Sequence, residues 1–79
     1  MTDTITERIE RFKVKAEIFF KNELDCFVID IYNNYYFCKI INIDNDFLYI
    51  HNFKGKRNGE DDRLVWSDII KLDEYREER

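Results

Sequence analysis

The side chains of this sequence whose types and spacing could do chemistry lie in a few short clusters. Asp44, Asn45 and Asp46 form one run. An Asn there can hydrogen-bond a nucleobase edge, whereas two carboxylates repel phosphate; the plain alternative is a solvated turn held by Asx hydrogen bonds. Trp66 is the only tryptophan. Its indole can stack on a base, worth roughly 1–3 kcal/mol, or fill a core or an interface. Lys54, Lys56 and Arg57 are the basic cluster outside the first segment, and they could meet a phosphate backbone. Glu60, Asp61 and Asp62 follow closely and offset them. Tyr32, Tyr35 and Tyr36 flank a turn, where they suit a binding platform or cross-strand packing.

Catalysis is hard to build from this inventory. General acid–base work needs a positioned His or a carboxylate with a shifted pKa, and His51, the single histidine, has no evident nucleophile to serve. No P-loop, GxGxxG or HExxH occurs. A structural zinc needs about four ligands, mostly Cys or His, and Cys26, Cys38 and His51 are too few. No enzyme activity, cofactor or metal is expected.

The chain must position these clusters with 79 residues, no Pro and only two Gly. That length allows one domain, 1–79. Aromatics at 16% exclude a disordered chain, because there is ample apolar surface to bury. No run approaches the roughly 18 apolar residues of a membrane span. Thr2 to Lys15 is dotted with charge and lacks the apolar stretch of a signal peptide. The expected setting is the cytoplasm. The formal net charge of −4 disfavours nonspecific nucleic-acid binding, which rests on phosphate neutralisation. A chain this small gains from extra support, and a homo-oligomer is the plainest source.

Ile5, Ile9, Phe12, Ala16 and Phe19 recur at helical spacing, so a helix is expected from about Thr4 to Asn22, opened by a Thr4–Glu7 capping box. Its acids and bases balance, which argues against an anionic lipid surface. The period then changes to two. Strands are expected at about 27–32, 35–44, 47–53, 63–66 and 69–72, with Leu48 and Ile50 inward. Asn33-Asn34 suits a two-residue hairpin turn. In that register paired positions sum to 67, so Cys26 faces Ile41 and the two cysteines are not opposite each other. Free thiols follow. Lys54 to Asp62 reads as a loop, Ser67-Asp68 as a tight or 3₁₀ turn, and Asp73 to Arg79 as a frayed charged tail. The fold class is mainly β: an N-terminal helix followed by a five-stranded, strongly bent antiparallel small barrel.

This layout resembles the Sm-like family of RNA-binding barrels over about Asp25 to Leu72. The likeness lies in the helix-then-strands order and in Asn33-Asn34 before the second strand. It lies also in Ile40 to Phe47, where a strand closes on an Asp and reopens on an apolar residue, and in Val65-Trp66-Ser67-Asp68-Ile69. The resemblance implies rings in which the fourth strand of one subunit pairs with the fifth of the next, and single-stranded RNA held by loop residues. It points to Asp44, Asn45 and Asp46, which would line a pore, to Trp66, Ser67 and Asp68, and to Lys54, Lys56 and Arg57 for the phosphates. The chain departs from the family pattern at Cys38 (often Gly), at Leu48 (nearest the usual Asn) and at Trp66-Ser67 (often Arg-Gly). Other SH3-type barrels share the layout. An acidic protein-interaction barrel without nucleic-acid binding is the alternative.

Overall fold

The computed structural model describes residues 4–76, Thr4 through its backbone alone. The expected capping box therefore rests on a side chain outside the described residues, as do the last three positions of the expected tail. The elements are α1 (Thr4–Lys21), β1 (Asp25–Asp30), β2 (Tyr35–Ile43), β3 (Phe47–Lys54), a first 3₁₀ turn (Gly55–Arg57), β4 (Asp61–Val65), a second 3₁₀ turn (Trp66–Asp68) and β5 (Ile69–Glu74).

The helix ends because Glu23 turns left-handed, with φ 54°. The Leu24 N–H then reaches the Phe19 carbonyl at 2.9 Å and the Glu23 N–H reaches that of Phe20 at 3.2 Å. This is the Schellman arrangement, with Phe19 and Leu24 both packed in or against the core. Ala16 and Phe19 are buried, and Ile9 and Phe12 pack against the same cluster. Ile5, expected on that face, is 53% exposed.

All five strands form one antiparallel sheet in the order β4-β3-β2-β1-β5. A flat sheet would set β4 and β5 about 19 Å apart, at roughly 4.8 Å per strand. The four Cα–Cα steps from Val65 to Ile69 reach only about 14 Å. The three-residue turn Trp66–Asp68 joins those two strands, so the sheet must curl. Irregularities in β2 help it bend: the register with β3 shifts between Ile40 and Asn42, and Ile41 is left exposed.

The β1–β2 register corrects the expected one. Phe27 faces Phe37, Ile29 faces Tyr35, and Cys26 lies directly opposite Cys38. The turn holds three residues, 31–33, because the Asp30 N–H bonds the Asn34 carbonyl at 3.1 Å. Both thiols are nonetheless free and buried.

Leu48 and Ile50 are fully buried, as the alternation predicts. β4 begins at Asp61 rather than Arg63, because Asn52 captures the Glu60 carbonyl through both its backbone N–H and its Nδ2, each at 2.9 Å. β5 runs on through Asp73 and Glu74, which corrects the expectation of a frayed tail from Asp73. The Tyr75 N–H bonds the Asp25 carbonyl at 2.9 Å, and Lys15 ties α1 to Asp73 at 2.6 Å.

Candidate nucleic-acid interface

The site residues drawn from the sequence fall into two groups at opposite ends of β3. Eight residues of strand separate them, roughly 25 Å. At one end the β2–β3 loop meets the β4–β5 turn. The Trp66 indole N–H donates to the Asp44 carbonyl at 2.8 Å, and the Asp44 N–H closes the loop on Phe47 at 2.9 Å. Asp44, Asn45, Asp46 and Ser67 are exposed, and Asp68 is half-buried. The Asp44 carboxylate accepts the N–H of the next residue, Asn45, at 2.7 Å.

Trp66 itself is only 2% exposed. Its ring belongs to the core cluster, and the Lys13 ammonium lies 5.8 Å from its centroid. The expectation that Trp66 stacks on a base is therefore corrected. The indole has no open face, and its polar edge locks two loops together. What this end offers to solvent is mostly carboxylate.

At the other end Lys54 closes β3, and Lys56 and Arg57 sit in the first 3₁₀ turn. This turn and the β1–β2 loop border an open cleft of about 590 Å³ lined by Asn33, Tyr35, Phe37, Lys56, Arg57 and Glu60 among others. Gly55 shapes it: φ is 86°, and an added Cβ would lie 3.6 Å from the Phe37 ring. Arg57 lies over the Tyr36 ring at 5.1 Å and 3.5 Å from an Asp62 oxygen.

The cleft opens onto an aromatic surface on the sheet face turned away from the core. Strand alternation sends Cys26, Val28 and Asp30 inward and Phe27 and Ile29 outward. Phe27 stacks on Phe37 with centroids 5.3 Å apart and touches Tyr35 at 5.7 Å. Tyr75 meets Phe37 at 5.4 Å and Phe53 at 5.8 Å. The Lys54 ammonium lies over both Phe37 and Tyr75 and donates to the Tyr75 hydroxyl at 2.8 Å; Lys71 lies over Phe27. Sequence reasoning noticed Tyr35 and Lys54 but missed this surface. The signal was there: Phe27, Tyr35 and Phe37 share a face once the register is right.

Asp30 holds the loop beside the cleft. Its carboxylate is buried and accepts from the Tyr32 and Asn34 N–H groups, the Asn34 side-chain amide and the Tyr36 hydroxyl, at 2.9–3.1 Å. Burial pushes its pKa up, but the four donors outweigh burial and hold the carboxyl below its ordinary value. Burial and then the Asp30 contact raise the Tyr36 phenol to about 12.

The remaining chemistry is sparse. His51 Nδ1 lies 2.6 Å from Asp61 on the surface. Among the described residues no group of three or more His, Cys, Asp or Glu is placed to hold a metal ion, and no helix is long and apolar enough to cross a membrane. No protein-family model, no curated protein and no solved structure matches this chain.

Proposed function

We propose that this chain is a non-catalytic, cytoplasmic barrel of Sm-like type that assembles into a homo-oligomeric ring and binds single-stranded RNA. The observation that carries the reading is the strand order. β4 and β5 are the two edges of the sheet, so each presents a row of N–H and C=O groups open to pairing. Pairing β4 of one subunit with β5 of the next covers both, and such a head-to-tail contact closes into a ring when the rotation permits. Exposed Val65 and Ile70, on either side of the second 3₁₀ turn, gain cover in that contact. The grouping of Lys54, Lys56 and Arg57 beside an aromatic surface supports the RNA part.

A second reading is an acidic protein-interaction barrel. The exposed carboxylates of Asp44 and Asp46 and the net charge of −4 favour it. Native mass measurement with and without oligo-U or oligo-A separates the two. The RNA-binding ring requires a multiple of the 9.8 kDa protomer that gains RNA mass. A monomer that binds neither oligonucleotide at low salt, where attraction is least screened, overturns it; an oligomer that binds no RNA leaves the protein-interaction barrel.

A further inference from the structure

We propose that RNA bases are received on the outer sheet face at Tyr35, with the phosphates held in the adjoining cleft by Lys56 and Arg57. The inference rests on the RNA reading above and moves the contact from the acidic loop pair to the opposite end of β3. Three observations converge on it.

Tyr35 is 54% exposed and lies where the cleft and the aromatic surface meet. One side of its ring leans on Phe27. Unlike Phe27, Phe37 and Tyr75, it has no cation over it among the described residues. It is an exposed ring of this surface, where Phe53 is half-buried, and stacking on it tolerates any base because every base has a π-face.

The basic side chains here suit the backbone of a strand, although Lys71 also lies 4.0 Å from Asp73 and Glu74 borders the aromatic surface. Lys54, Lys56, Arg57 and Lys71 gather at this end, in a molecule that is acidic as a whole. Arg57 is shared with Asp62 and Glu60 lines the cleft, whereas Lys56 has no ion pair among the described residues. Lys56 is thus the principal phosphate partner and Arg57 the second. Lys54 and Lys71, already lying over rings, flank the path of the strand.

The third observation is a polar group of the right kind on a clamped loop. Asn33 lines the cleft and stands at φ 67° in a loop clamped by the buried Asp30 carboxylate. Its amide carries both a donor and an acceptor, as a base edge does. The cleft volume of about 590 Å³ falls within the roughly 300–1,000 Å³ of small-ligand sites, enough for a nucleotide.

The test is fluorescence anisotropy of labelled ten-nucleotide oligo-U and oligo-A with the full chain, across a salt series. Tyr35→Ala should weaken binding roughly tenfold with an unchanged salt slope, whereas Tyr35→Phe should bind like the parent. Lys56→Ala should flatten the slope by about 0.7, the value of one contact on a single strand. Circular dichroism confirms that each variant is folded. If the parent binds RNA and Tyr35→Ala and Lys56→Ala bind equally well, this inference falls and the RNA function survives on another surface. If the parent binds neither oligonucleotide at low salt, the RNA reading itself falls.

Discussion

Cys26 and Cys38 face each other across β1 and β2, both fully buried. Burial, aided by nearby Asp25 and Glu74, raises the Cys26 thiol to about 12; burial and the neighbouring Cys26 push Cys38 higher still. An unfolded thiol titrates near 8.5. The folded state therefore keeps both protons while the unfolded chain loses them. The thiols' contribution to stability should be constant below about pH 8 and fall from about pH 9, by up to about 1.4 kcal/mol per pH unit for each thiol. Urea unfolding at pH 7, 9 and 10 reads this directly. The double variant Cys26→Ala, Cys38→Ala should be less stable at pH 7 but flat up to pH 10; a parent curve equally flat would refute the argument.

Asp30 gives the opposite pH signature. Its folded pKa is depressed, so its contribution is complete above the unfolded value of about 3.9 and is lost as pH falls through the lower folded value. Asp30→Asn keeps the size but presents an amide to donors that need a carboxylate. Hydrogen bonds to a charged group are worth about 1.5–3 kcal/mol, and the variant should lose at least that much at pH 7. Its stability should also respond less to acid between pH 4 and 2. Thermal melts of the two proteins over that range make the comparison.

Glu23 occupies a left-handed position that favours glycine. A left-handed side chain costs about 1–2 kcal/mol, while glycine adds about 0.5–1 kcal/mol of unfolded-state entropy. Glu23→Gly should therefore stabilise the protein, by up to about 1 kcal/mol. Glu23→Ala, which keeps the strain, should not. A melting temperature lowered by glycine would show that Glu23 has a role beyond the cap.

Phe19 and Ile18 are neighbours on α1 with opposite fates, one buried and the other 50% exposed. Phe19→Ala should cost about 3–5 kcal/mol, a large part of a small domain's stability. Ile18→Ala should change it by less than about 0.5 kcal/mol. Equal losses in denaturant titrations would mean that the outer face of α1 is covered in solution.

Much of the architecture was legible because it follows from periodicity. The helix, β2 and β3 declare themselves in apolar spacing, and the second 3₁₀ turn in Ser67-Asp68. The β1–β2 register did not, because Asn33-Asn34 satisfies a two-residue turn on paper. What decides the longer loop is the Asp30 carboxylate, whose four donors exist only after folding. The end of β5 was hidden by Asp73 and Glu74, which read as tail until Tyr75 is seen packed on Phe37 and Phe53. Trp66 carries both an apolar ring and a donor. Sequence alone cannot say whether water, a base or the Asp44 carbonyl receives it.

The sheet order also bears on how the protein is made. β1 is synthesised first among the strands yet needs β5, the last of them, on one flank, and the Tyr75 N–H closes on the Asp25 carbonyl. A nascent chain that has emerged only as far as β4 leaves one edge of β1 bare and lacks Ile69 and Leu72 from the core. Folding must wait until β5 is free of the ribosome, and chains stalled before it would expose an unpaired central strand prone to aggregation.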